Sequence, residues 1–192
     1  MNHLIVFAHP NSKSFGKAIE ETVSKASERK GFKTKVKDLY SENFNPVLGV
    51  SDFEAFGSGK IPADIKAEQD LITWADTISF VYPTWWTGLP AILKGYIDRV
   101  FSYGFAYEVR DGVVVGLLNG KRVRLFSTTG TPGPVYDSNG MHDSMKQTQD
   151  TGIFRFSGIE DVEHLFFGAV PYVDDRIRAG YLGQVEKTVN AL

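Results

Sequence analysis

A repeated alternation of short strand-like segments with segments of helical periodicity constrains this chain more than any other feature. Leu4-Ile5-Val6-Phe7-Ala8 is a continuous apolar run, the mark of a strand buried on both faces, and Thr77–Tyr82 (TISFVY) reads as another buried strand. Lys33–Leu39, Arg122–Ser127 (RVRLFS) and Val162–Phe167 (VEHLFF) read as three further strands. Between them, Ile19, Val23 and Ala26 recur at helical spacing up to Gly31, a helix-ending C′ residue. Asp64–Ala75 reads as a helix with Ile65, Leu71, Ile72 and Ala75 inward. The next helix has Pro90 at its first position and an apolar face of Ile92, Leu93, Tyr96, Ile97, Val100 and Phe101, with Lys94 and Asp98 paired outside. Asp174–Leu192 closes the chain as a helix with a soft spot at Gly180 and Gly183. Tyr40–Pro62 reads as a long irregular connection, Phe105–Leu118 as a hairpin turning at Asp111-Gly112, and Thr129–Gly140 as a Gly/Pro-rich loop. Such alternation requires a parallel sheet wrapped by helices on both faces. Five strands at this spacing suit the doubly wound, flavodoxin-like α/β order 2-1-3-4-5, in a single domain over residues 1–192.

Composition removes several function classes. With 21 Lys+Arg against 23 Asp+Glu the charge is nearly balanced, which argues against a nucleic-acid binder. The absence of Cys excludes disulfides, thiolate nucleophiles and Cys-based metal sites, and no metal site is expected. Met1–Asn2–His3 offers no basic leader, and no apolar run approaches a membrane span, so a cytoplasmic protein that is not an integral membrane protein is expected. The unusual entry is the aromatic content of 13%. Phe7, Phe80, Phe126 and Phe166 read as sheet core.

In a doubly wound sheet, ligands bind beyond the carboxyl ends of the strands, beside the first strand. Three loops there are compositionally unusual. His9–Gly16 opens a helix whose N-terminus favours an anion, with Ser12 or Ser14 available as N-cap and Lys13 and Lys17 adding charge. Tyr82–Pro90 carries Pro83, Thr84, Thr87 and two adjacent rings, Trp85 and Trp86, suited to a planar ligand. Thr128–Gly140 brings Thr128, Thr129, Gly130 and Thr131 as donors, with Tyr136 and His142 close by. An anion site beside a flat, polar-edged ring site suits a flavin, whose hydride chemistry is the cofactor's own.

YPTWWTGLPAILKGYIDRVF (Tyr82–Phe101) resembles the most distinctive stretch of the NAD(P)H:quinone acceptor oxidoreductases, the DT-diaphorase family. LIVFAHPNSKSF, DLYSENFNPV, DIKAEQ, GFAY and STTGTPGPVYDSNGMHDSM follow that family's pattern in order, over roughly residues 3–145. The resemblance implies a homodimer that binds FAD, with FMN the alternative, and passes two electrons from NAD(P)H to quinones or similar flat acceptors by ping-pong exchange. It implies that His9, Ser14, Phe15 and Gly16 meet the phosphates and ribityl chain. Pro83, Thr84, Trp85, Trp86 and Thr87 then line the isoalloxazine, and Thr128, Thr129, Gly130 and Thr131 bond its pyrimidine edge. Tyr136 and His142 match the family's catalytic pair near flavin N1/O2. Tyr107, supplied across the dimer, joins Trp86 and His142 in contact with substrate. The connection Asn43–Gln69 resembles the FAD-binding members, where it helps cover adenosine. Thr87 stands where an aromatic is common, Thr131 replaces the second Gly of Thr-Thr-Gly-Gly, and the long C-terminal extension of the animal enzymes is missing. Two other readings stand beside this one: a regulatory flavoprotein subunit of a potassium-efflux system, and a flavodoxin-type electron carrier. The mild net charge and the Tyr136/His142 pair weigh against the carrier.

Overall fold

The computed structural model describes residues 1–192. Its main sheet consists of β1 (Asn2–Phe7), β2 (Lys33–Asp38), β3 (Thr77–Pro83), β6 (Arg122–Thr128) and β7 (Asp161–Phe167). They pair in parallel in the order β2-β1-β3-β6-β7. This is the expected order, because β4 (Tyr107–Arg110) and β5 (Val113–Gly116) form the separate hairpin. The hairpin turns at Asp111-Gly112, both with positive φ, as a tight turn between right-twisted strands demands.

Side chains of β1 alternate between the two layers, as the period of a strand dictates. Leu4 and Val6, with Ala8 just beyond the strand, join a core that includes Phe80, Tyr82, Leu93, Tyr96 and Phe154. Ile5 and Phe7 face the other core, with Val81, Phe126 and residues of α1 (Phe15–Arg29) and α7 (Asp175–Asn190). The first core lies under α3 (Ala63–Trp74) and α4 (Ala91–Val100). Helix α1 ends at Gly31 with φ +73°, the left-handed C′ position read from the sequence. Lys94 and Asp98 pair on the outer face of α4 at 2.5 Å.

Five expectations need correction. Tyr40–Pro62 is not wholly irregular, since it contains α2 (Val50–Gly57). Thr129–Gly140 contains a short helix, α5 (Gly133–Ser138), followed by α6 (Met141–Lys146) and a π-helical segment, Gln147–Arg155. Pro90 is the N-cap of α4 rather than its first residue. Helix α7 runs unbroken through Gly180 and Gly183, anchored by Asp174, whose carboxylate accepts from the Ile177 amide at 2.8 Å. Phe166 is half-buried rather than core, whereas Phe7, Phe80 and Phe126 are buried.

Helix α2 is tied down by charge. Arg99 of α4 makes a bidentate pair with Asp52 at 2.9 Å for each bond, and reaches Asp64 at 2.7 Å and the Asn45 carbonyl at 2.9 Å. Pro46 also presses on α4: a Cβ at Gly95 would lie 2.1 Å from its carbonyl oxygen. Only glycine permits that approach.

Candidate active site

The loops after β1, β3 and β6 meet at the carboxyl end of the sheet around a cleft of about 230 Å³. That is below the size of a typical small-molecule site, roughly 300–1,000 Å³. His9, Ser14, Phe15 and Gly16 form one wall, Pro83, Thr84 and Trp85 the second, and Thr128, Thr129 and Gly130 the third. Val170 and Pro171, after β7, complete it. These two had no signal in the sequence, as the loop after β7 shows no unusual composition.

Each wall has a local cause. Ser14 caps α1, its Oγ accepting from the Lys17 amide at 3.2 Å. The amides of Phe15 and Gly16, in the first turn, donate to nothing in the protein, leaving the anion-binding end of a helix free. The Lys17 ammonium is not free for a ligand, being paired with Glu20. The Asn11 amide donates to His9 Nδ1 at 2.9 Å. The ring proton therefore sits on Nε2, and burial holds the His9 pKa below its usual value. Trp85 packs against His9 with ring centres 6.3 Å apart.

In the third wall, the Thr129 hydroxyl donates to the Thr131 carbonyl at 2.7 Å. This bond closes the turn and leaves the Gly130 and Thr131 amides without a protein acceptor. The loop after β7 comes close because Gly168 has no side chain: a Cβ there would lie 2.6 Å from the Gly133 nitrogen. On the second wall the Thr84 hydroxyl is buried and unpaired. A buried polar atom without a partner costs about 1–3 kcal/mol.

The remaining sequence-derived residues lie around the cleft rather than in it. Trp86 is fully exposed and does not line it, nor does Thr87. Both have positive φ, +50° and +59°, in a tight turn closed by the Trp85–Gly88 bridge. Thr131, Tyr136 and His142 stand beyond the third wall, with the Tyr136 and His142 rings edge-to-face at 5.5 Å. His142 Nδ1 bonds Asp137 Oδ1 at 2.7 Å, and its Nε2 is buried and unpaired. Tyr107 lies in a second cleft with Ile97, Phe101 and Phe156. No residue of Asn43–Gln69 lines the first cleft, so that connection does not cover it within one chain.

A family model described as flavodoxin-like fold matches residues 1–189. A Haemophilus influenzae protein named as an uncharacterized NAD(P)H oxidoreductase is 46% identical over 179 residues, covering 93% of this chain and 89% of that one. The chain belongs to the flavodoxin-like family of NAD(P)H oxidoreductases. Within that family, the NAD(P)H dehydrogenase [quinone] 1 of Cavia porcellus is 31% identical over 207 residues, covering 95% of this chain and 75% of its own. The NAD(P)H:quinone oxidoreductase of Methanothermobacter marburgensis superposes with a TM-score of 0.89 at 28% identity, covering 98% of this chain and 95% of that one. The cleft lies at the carboxyl end of the doubly wound sheet, where such folds bind ligands. No helix is long and apolar enough to cross a membrane.

Proposed function

We propose that this oxidoreductase binds a flavin in the cleft and uses it to carry hydride from NAD(P)H to quinones or similar flat acceptors. The observation that carries the reading is the set of unpaired donors lining one cleft. The Phe15 and Gly16 amides sit on one wall, the Gly130 amide on another with the Thr131 amide just beyond it, and the Thr84 hydroxyl on the third. Phosphate oxygens fit the first pair, as helix N-termini favour anions. The carbonyl-rich edge of an isoalloxazine fits the second, and Trp85 supplies an apolar wall.

When bound, flavin supplies the two-electron hydride chemistry. The chain's own residues hold and polarise it. Amide donors at the ring edge favour the negative charge that two-electron reduction brings, and loss of one such donor costs on the order of 10²-fold in rate. His142, bonded to Asp137 through Nδ1, turns its Nε2 to the same edge, where it donates when both ring nitrogens carry protons. Tyr136, packed on His142, is its partner in the proposed catalytic pair. NAD(P)H and acceptor use one open face in turn, giving ping-pong exchange. Tyr107 and Phe156 lie in a separate cleft, which suits a homodimer in which a second copy brings Tyr107 to the acceptor beside Trp86. We assign FAD on the family resemblance; the cleft takes the part that FAD and FMN share. A cytoplasmic location completes the reading.

Two measurements test it. Mass analysis of the flavin released by acid distinguishes FAD from FMN, and absence of any flavin after reconstitution overturns the reading. Initial rates with NADH and a benzoquinone at several fixed quinone concentrations should give parallel reciprocal plots. A long-lived one-electron form with no NAD(P)H oxidation identifies a carrier instead. Co-purification with a potassium-efflux transporter identifies a regulatory subunit.

A further inference from the structure

The cleft accounts for His9, Thr84 and the loop amides but leaves a buried polar cluster beside it without a role. His164 sits on β7 with its side chain wholly enclosed. Its Nδ1 faces Asp150 Oδ1 at 2.8 Å, and its Nε2 lies 3.2 Å from both the Tyr82 hydroxyl and Ser127 Oγ. The carboxylate places the ring proton on Nδ1, which leaves Nε2 to accept from Ser127 Oγ, with the Tyr82 oxygen beside it. Asp150 is presented by the π-helical segment together with Gln149, whose carbonyl accepts from the Tyr82 hydroxyl at 2.6 Å. Segments of this type concentrate at functional sites. An imidazole bonded through both nitrogens has one orientation, and its flat face is what remains for contact. Phe166 stacks on it at 3.8 Å and 25°, and is in turn stacked on His142 at 4.3 Å and 26°.

We propose that His164 is a positioning residue for His142: anchored by Asp150, Tyr82 and Ser127, it fixes the ring of Phe166, and Phe166 sets the plane of the His142 imidazole. The proposal rests on the reading of His142 as a donor beside the bound flavin. His142 needs the second constraint. Its sole hydrogen bond is to Asp137, whose side chain is 70% exposed, and a bond to a solvent-exposed carboxylate is a weak restraint on the plane of a ring. Stacking supplies the missing restraint from below.

Charge is consistent with this role. Burial lowers the His164 pKa most, Asp150 raises it, and Lys146 and His142 lower it further, for a net depression. Tyr82 faces Nε2 with its own pKa held well above the usual value by burial and by Asp150, so it stays a neutral hydroxyl. Lys146 Nζ lies 6.0 Å from the Phe166 ring centre. A neutral His164 thus adds no positive charge beneath His142.

The test uses the full-length protein, with H164Q, F166L, H142A and the H142A/H164Q double variant. Glutamine at 164 retains a donor for Asp150 and an acceptor for Ser127 while removing the stacked ring. The first readout is NMR of the His142 imidazole, which needs no turnover: its ring signals should move in H164Q and in F166L. The second is the rate of reduction by NAD(P)H, expected to fall roughly tenfold with KM unchanged, as for a small misplacement of an active-site group. In the H142A background H164Q should have no further effect, the sign that it acts through His142. Unmoved His142 signals in folded variants, or rate losses that multiply with H142A, overturn the proposal. If H164Q does not fold, F166L decides, because it leaves the Asp150–His164 pair intact. If the wild type oxidises no NAD(P)H, the functional reading fails while NMR still shows whether His164 governs His142.

Discussion

His3 and His142 stand at opposite ends of the sheet, and their surroundings are opposite too. At the amino end, His3 is fully buried with both nitrogens satisfied: Nδ1 lies 2.7 Å from Ser27 Oγ and Nε2 2.8 Å from Ser79 Oγ. Ser27 donates to the Val23 carbonyl at 2.8 Å. Its oxygen must therefore accept from His3 Nδ1–H, and Ser79 donates to Nε2. Nothing is left over. At the carboxyl end, His142 has one bond and a buried, unpaired Nε2. A closed network fixes structure, whereas an open one leaves a polar atom free to contact a ligand in the proposed site. Stability should therefore respond at the amino end and on the flanking helices, and ligand binding at the carboxyl end.

The largest expected effect is structural. Arg99→Leu leaves Asp52 buried, at 4% exposure, without its cation. Breaking a buried pair costs about 3–5 kcal/mol, so urea unfolding should lose that much while flavin affinity of the folded fraction holds. A loss of binding comparable to the loss of stability would break the separation between the ends.

Acid tests His3 directly. Its pKa falls from 6.5 to about 4, by burial first and then by Arg124. Between those values the unfolded chain binds a proton that the folded chain refuses, so stability declines as pH drops below 6.5 and the loss is complete below about 4. The full contribution is about 3 kcal/mol. Unfolding free energy measured against pH should show this component in the wild type and lose it in His3→Asn. An unchanged profile in His3→Asn would assign the acid sensitivity elsewhere.

Thr84→Val sharpens the other side. Removing an unpaired buried hydroxyl leaves the ligand-free protein as stable or more stable, by up to about 1 kcal/mol. Flavin affinity, measured by fluorescence quenching on the apoprotein, should drop about five- to tenfold. Unchanged affinity would show that the Thr84 hydroxyl faces no ligand atom.

The two ends also differ in how far they are legible in the sequence. Sheet order follows from the alternation of Leu4–Ala8, Thr77–Tyr82 and their companions with helical segments, because burial on both faces leaves an apolar record. Helix α2 leaves none: Val50 and Phe53 are exposed, and its buried residue is Asp52, held by charge. Its packing depends on an arginine far along the chain. The cleft walls His9–Gly16, Pro83–Trp85 and Thr128–Gly130 are readable because loops at strand ends carry Ser, Thr, Gly and Trp out of proportion. Asp150 and His164 are not, since a π-helical segment and a strand pair them across fourteen positions with no periodic signal. Phe166 looks like core in VEHLFF, yet it lies between two imidazoles.

The smallest effect concerns the turn at the mouth of the cleft. Trp86 and Thr87 are both left-handed, at φ +50° and +59°, between the paired Trp85 and Gly88, whose amides and carbonyls bond at 3.0 and 3.2 Å. Turns of this geometry favour Asn and Gly, and a β-branched residue there is strained. The Thr87 hydroxyl offsets part of the strain by donating to the Trp86 carbonyl at 2.7 Å. Such strain, of order 1–3 kcal/mol, collects at ligand sites and persists where the surroundings impose it. Thr87→Gly removes it but adds the backbone entropy of glycine, about 0.5–1 kcal/mol. A net gain near 0.5 kcal/mol is expected in the urea midpoint, with the slope unchanged. Because the freed turn holds Trp85 less firmly against His9, flavin affinity should fall by about twofold, or ~0.4 kcal/mol. Stability and binding would then move in opposite directions at a single residue, as a carboxyl end shaped for a ligand rather than for stability requires. If both improve together, the turn is merely suboptimal and the contrast between the two ends stops short of this loop.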